Sequence, residues 1–238
     1  MTSKSNLWVV ILSLFWIACS PDPQELILKG KQLLDDGKYQ QAVEYLDRAV
    51  EKAPEQAEAY NLRAVAYFEQ EAYDKAIEDF SEAISLDSSS YMPYYNRGNA
   101  YQEQSQLQQA LEDYSRAIRI RPNVKDVYLN RGVVYFKTGS YEQALEDFTF
   151  ALQLESDDPV ALLNRAKTRL ALSQWQEAIA DLETLINLEP QNASAYYSLG
   201  IAYLRQNEQE QACESFRRAD VYGYEGAKQA LERYCGES

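Results

Sequence analysis

The sequence contains no histidine and only three cysteines, Cys19, Cys213 and Cys235. Histidine is the commonest general base and metal ligand, so its absence removes the usual entry to both chemistries. No CxxC or Cys/His cluster occurs, which leaves a zinc site without support. Basic charge is scarce too. Against 37 Asp and Glu stand 23 Lys and Arg, and the resulting −14 is spread along the chain instead of collected in a tail. Such a field repels phosphate backbones and anionic headgroups, so no nucleic acid is expected as a partner. Any membrane attachment would need an anchor other than charge. There is no Gly-rich phosphate loop, nucleophile elbow or metal-ligand spacing, so no catalysis, cofactor or small-molecule substrate is expected. The longest apolar stretch, Leu7 to Ala18, is also short. As a helix it rises about 18 Å, well under the ~30 Å hydrocarbon core.

What is present is globular in composition, with 46% apolar and 25% charged residues. The short apolar stretch follows Lys4 and ends Trp16-Ile17-Ala18-Cys19, with Ser20-Pro21-Asp22 next. Its length fits the h-region of an export signal. The run resembles a bacterial lipobox, in which a small residue precedes the cysteine that is lipidated and becomes the new N-terminus. Trp16 stands where that class usually has Leu. Ordinary signal cleavage fits less well, because Trp16 is too large for a small-x-small site and Pro21 follows the alternative one. The resemblance implies a signal peptide over 1–18, a lipid on Cys19 and a linker to residue 22. It implies an exported protein facing the periplasm or the cell exterior. Ser after the cysteine implies the outer membrane where a cell has one. A short uncleaved anchor and a plain secreted protein are the alternatives.

From Pro23 onward the chain repeats itself every 34 residues, without insertion, as 23–56, 57–90, 91–124, 125–158, 159–192 and 193–226. Counting Pro23 as position one, position eight is Gly30, Ala64, Gly98, Gly132, Ala166 and Gly200. Position twenty is alanine in all six, from Ala42 to Ala212, and position 24 is Leu46, Phe80, Tyr114, Phe148, Leu182 and Phe216. Small residues at eight and twenty let two antiparallel helices approach, and a large residue at 24 fills the space beside them. Pro54, Pro122 and Pro190 fall where a second helix must stop. One such pair cannot bury its own apolar face, so neighbours must stack. This pattern resembles the tetratricopeptide repeat. It implies an all-α, right-handed α-solenoid of six helix-turn-helix repeats. Ala227 to Tyr234 then reads as a helix that caps the last repeat.

Two further patterns sit on this register. Arg at position seven and Asp at position 23 occur together in repeats two to five: Arg63 and Asp79, Arg97 and Asp113, Arg131 and Asp147, Arg165 and Asp181. The first and last repeats lack both, so an ion pair within each repeat explains the data better than a row of arginines awaiting an anion. A partly exposed pair is worth about 0.2–1 kcal/mol. Tyrosines recur at positions 4, 11 and 17 and read as packing between repeats. Asn96, Asn130 and Asn164, at position six, read as structural hydrogen-bonders.

The family resemblance also implies a concave groove lined by the first helix of each repeat. On this chain it would comprise Asn61, Val65 and Phe68; Met92, Tyr95 and Asn99; Leu129, Val133 and Phe136; and Leu163, Lys167 and Leu170. Members that capture a peptide's C-terminal carboxylate carry Lys and Asn at positions five and nine. Position five here has no Lys, so that clamp is unsupported. An apolar and aromatic groove remains, rimmed by Glu69, Glu103 and Asp126, and suits an extended or helical segment with apolar anchors. The reading is a membrane-anchored scaffold that binds a protein or peptide, similar to repeat lipoproteins that assist envelope assembly. A self-associating array without a client and a cytoplasmic co-chaperone are the rivals. Export would place Cys213 and Cys235 in an oxidising compartment, where a disulfide could staple the cap if their Cα atoms lie within ~7 Å.

Overall fold

In the computed structural model, residues 22–236 are described, so Cys19 and the leader lie outside the described residues. Thirteen helices follow one another, among the described residues, with no strand: α1 (Pro23–Asp35), α2 (Tyr39–Lys52), α3 (Ala57–Glu69), α4 (Tyr73–Leu86), α5 (Met92–Glu103), α6 (Leu107–Ile120), α7 (Lys125–Lys137), α8 (Tyr141–Leu154), α9 (Pro159–Ala171), α10 (Trp175–Leu188), α11 (Ala193–Arg205), α12 (Gln209–Val221) and α13 (Ala227–Cys235). Odd and even helices are the first and second helices of the six repeats, and α13 packs on α12 as the cap. No helix among the described residues is long and apolar enough to cross a membrane.

The helix pair closes at the positions the sequence marks. Built onto Gly132, a Cβ would sit 2.8 Å from the Phe148 ring, and one on Gly200 would sit 2.5 Å from Phe216. From repeat two onward, positions three and ten, among them Ala66, Ala100, Val127, Val134 and Ala161, are buried against the preceding repeat. Helices α2, α6 and α10 each end two residues before a proline. That is where the ring excludes helix from the residue ahead of it.

Every turn within a repeat uses the same device. Position 15 has a positive φ throughout, at Gly37, Glu71, Ser105, Gly139, Ser173 and Asn207. The following amide reaches back five residues, as Gln106 N–H does to the Tyr101 carbonyl at 2.8 Å and Ser140 N–H to Tyr135 at 2.9 Å. This left-handed cap satisfies helix-end carbonyls that would otherwise be orphaned.

Consecutive odd helices touch one another along the array, α1 with α3 through α9 with α11, and approach more closely than even helices do. A stack closer along one layer bends toward it, so the odd helices form the concave side. At the far end, Cys213 of α12 and Cys235 of α13 are joined by a disulfide with Cα atoms 5.8 Å apart. Gln209 also donates to the Tyr234 carbonyl across the same junction. Ala212, Phe216, Ala230 and Leu231 form the small core beneath the cap.

Candidate protein-binding groove

Each odd helix has three faces with different fates. Positions three, eight and ten are buried against neighbouring helices, save for Glu25 and Gln32 of α1 at the open end. Positions four, seven and eleven point into the crevice between even helices on the convex side. Positions two, five, nine, twelve and thirteen are left for the concave side, about half a turn of the helical wheel from that crevice.

The convex crevice holds the ion pairs. Arg97 donates from Nε and Nη2 to the two oxygens of Asp113 at 2.8 and 2.9 Å. Arg63 does the same to Asp79, Arg131 to Asp147 and Arg165 to Asp181, all at 2.6–2.9 Å. The remaining nitrogen bridges repeats: Arg63 Nη1 reaches Asp47, Arg97 reaches Ser81 and Arg131 reaches Ser115. Asp113 is only 8% exposed at the side chain, so the carboxylate end of each fork is buried and its loss costs more than that of an exposed ion pair. Burial pushes the Asp113 and Asp147 carboxyls up, opposed by the guanidinium bonds that favour their ionised forms. The tyrosines flank the same arginines. Arg97 lies 6.0 and 5.7 Å from the Tyr94 and Tyr101 rings, and Arg131 lies 5.8 and 5.7 Å from Tyr128 and Tyr135. Repeat five differs, because Arg169 replaces the aromatic and adds a second guanidinium to Asp181 at 2.6 Å.

On the concave side, Asn61, Val65, Phe68, Tyr95, Val133, Phe136, Leu163, Lys167 and Leu170 are half-buried, and Met92 is 49% exposed. Leu129 is a correction. At 8% exposure it packs with Phe148, Leu152 and Leu162 in the core, which leaves Val133 and Phe136 as the open part of that stripe. Position five lies nearer the helix-packing boundary than position nine, and in repeat four its side chain tucks into that boundary, whereas Tyr95 and Leu163 at the same position stay half-buried. Asn99 is half-buried but committed internally. Its Oδ1 accepts from Tyr114 Oη at 2.8 Å and from Asn130 Nδ2 at 2.9 Å, and Asn130 also donates to Tyr95 Oη at 3.2 Å. Asn130 is thereby the structural hydrogen-bonder its repeat position implies.

Two features of this face have no counterpart in the repeat pattern. The Asn61 Oδ1 is buried with no hydrogen-bond partner among the described residues. It borders a hollow of about 350 Å³ shared with Lys31, Glu58 and Met92. Lys167 stands on α9 between Leu163 and Leu170, and burial alone pushes its ammonium down. Sequence placed Lys167 in the groove, but its lack of a counter-ion depends on which carboxylates the fold brings near.

Family descriptions cover most of the register. One for the tetratricopeptide repeat matches residues 27–92, one for the TPR repeat matches 98–139 and 167–207, and a third, for the tetratricopeptide repeat, matches 126–158. No curated protein matches the chain. Among solved structures, YrrB, described as a TPR protein with an unusual peptide-binding site, superposes with a TM-score of 0.73 at 23% identity, covering 79% of this chain and 97% of its own. PilF of Pseudomonas aeruginosa gives 0.75 at 21% identity, covering 89% and 96%. PilW, described as a widely conserved type IV pilus biogenesis factor, gives 0.72 at 19% identity, covering 88% and 98%. Identities this low speak for the fold alone. With six repeats in unbroken register and family descriptions along most of them, the chain belongs to the tetratricopeptide-repeat family.

Proposed function

We propose that this chain is a membrane-anchored adaptor that grips a segment of another protein in its concave groove. The observation that carries the reading is the apolar row Val65, Phe68, Val133, Phe136, Leu163 and Leu170. These side chains stay partly open on the inner helices, on the face turned away from the convex crevice. Exposed apolar rows of this kind are tolerated mainly where something binds them. The unusual peptide-binding site described for YrrB supports the same use here. A photoreactive residue at Val133 tests it against one at Glu146, which is exposed on α8. Adducts to a discrete protein from position 133 and none from 146 are expected; equal labelling from both would contradict the groove.

The anchor is the lipid on Cys19, and the setting is the periplasmic or outer face of an envelope, at the outer membrane where the cell has one. Support comes from the short apolar run ending Ala18-Cys19. Helix α1 begins at Pro23, so only three residues, spanning at most about 11 Å, separate it from Cys19. The scaffold would work close to the membrane, in the assembly of an envelope complex, as the description of PilW suggests by analogy. Fatty-acid labelling that disappears in Cys19→Ser is expected. Equal label in both proteins would sink the anchor while leaving the groove untouched.

A further inference from the structure

The charges on the concave positions are sorted along the array. In repeat one, Lys31 and Asp35 offset each other. Repeats two to four then present Glu58, Glu69, Glu103 and Asp126, all exposed. Beyond Asp126 the same positions hold only cations: Lys137 at the end of α7, Lys167 on α9 and Arg205 at the end of α11. None of the acidic four pairs with a cation, and none of the three cations pairs with a carboxylate, among the described residues. The acidic members act on their surroundings. Burial first, and then the carboxylates of Glu103, Glu71 and Glu69, push the Tyr73 phenol up.

Open apolar side chains of repeats four and five lie between the acidic end and Arg205. Val133, Phe136, Leu163 and Leu170 pack on one cluster, and Lys167 rises among them. An ammonium that is half-buried among leucines loses hydration, and an opposite charge would return favourable energy there. At the far end, Arg205 borders a hollow of about 260 Å³ with Ile201, Leu204 and Tyr234.

We propose that the groove is polarised and takes a bipolar protein segment, with an acidic side chain seated on Lys167 and basic side chains along repeats two to four. Apolar anchors of the segment lie between, over Val133 and Phe136. The proposal rests on the concave face being a protein-binding groove and adds the chemistry and the direction of what it holds. Complementary fields of this kind fix register and suppress the reversed arrangement, because like charges then face each other.

The test uses the full chain, purified from its membrane and held in nanodiscs, with two C-terminally amidated peptides. One carries Lys at one end, Leu in the middle and Glu at the other end; its twin has Gln in place of Glu. Anisotropy at low ionic strength should show the first peptide binding about tenfold more tightly. That difference should vanish in Lys167→Met and survive in Lys167→Arg. A photoreactive group on the acidic end should label α9 or α11. Equal binding of the two peptides, or labelling of α3 and α5 by the acidic end, would overturn the polarity and leave the groove reading standing. Failure of both peptides to bind would overturn both. Should Lys167→Met not fold, the comparison of the two peptides and the labelling map on the parent protein still decide.

Discussion

Arg97 and Asp113 face each other across one helix pair, with two parallel N–H···O bonds of 2.8 and 2.9 Å and the ring of Tyr101 5.7 Å from the guanidinium. Removing one member strands a buried charge, so Arg97→Met should cost about 3–5 kcal/mol. Arg97→Met with Asp113→Leu should recover at least half of that loss, because no charge is left unpaired. Urea unfolding of the two single variants and the double variant measures the coupling. Strictly additive losses would show that the two side chains do not act as a pair.

The turn residue at position 15 offers the opposite experiment. Ser105 has φ +59° and Glu71 the same, in a region that a side chain disfavours and glycine adopts freely. Ser105→Gly should therefore raise stability by about 0.5–1 kcal/mol, net of the entropy that glycine adds to the unfolded chain. Gly139→Ala, at φ +78°, should lower it by a similar amount. Thermal melts of the two variants should move in opposite directions, and a shift in the same direction would argue against the strain.

Reducing the Cys213–Cys235 disulfide should loosen the cap alone. The bridge closes a loop with a sequence separation of 22, for which chain entropy gives a stabilisation of about 3 kcal/mol. Each repeat contacts only its neighbours, so Cys235→Ser should speed hydrogen exchange in α13 and α12 and leave α3 to α8 unchanged. A uniform increase along the array would contradict the local role.

Asp158 gives a pH dependence with a definite sign. Burial opposes its ionisation, but Lys125 and the Ala161 amide, which donates at 2.8 Å, outweigh that and hold the carboxyl below its ordinary value. A depressed folded value means the contribution is complete above the unfolded pKa of ~3.9 and is lost as pH falls through the folded one. The stability gap between the parent protein and Asp158→Asn should be widest at neutral pH and close as the acid range below pH ~4 is entered. A gap that does not change with pH would mean that Asp158 acts as a helix cap and not through its charge.

Much of this was legible because the repeat states each position six times. The small residues at position eight, the large side chains at 24 and the joint appearance of Arg and Asp were enough to place helix pairs and ion pairs. Burial was harder to read. Leu129 and Val133 are both apolar and one turn apart, yet only Val133 stays open, because the depth of position five depends on how tightly neighbouring repeats close. Position 15 carries a signal of its own, because Gly37, Gly139 and Asn207 are residue types that tolerate the left-handed region. The isolation of Lys167 could not be read in advance, since being unpaired concerns all its neighbours in space.

The most direct test sets one groove position against one core position. Val133 is half-buried on the concave side, whereas Ala144 is fully enclosed between α7 and α8. Melting temperature and crosslinked-partner yield are measured for Val133→Glu and Ala144→Leu. A binding groove predicts that Val133→Glu melts close to the parent protein but loses about 1–3 kcal/mol of binding. Ala144→Leu should lose about 1–3 kcal/mol of stability and bind normally whenever folded. If Val133→Glu unfolds the protein yet captures the partner normally whenever folded, the concave stripe is core and the binding surface lies elsewhere.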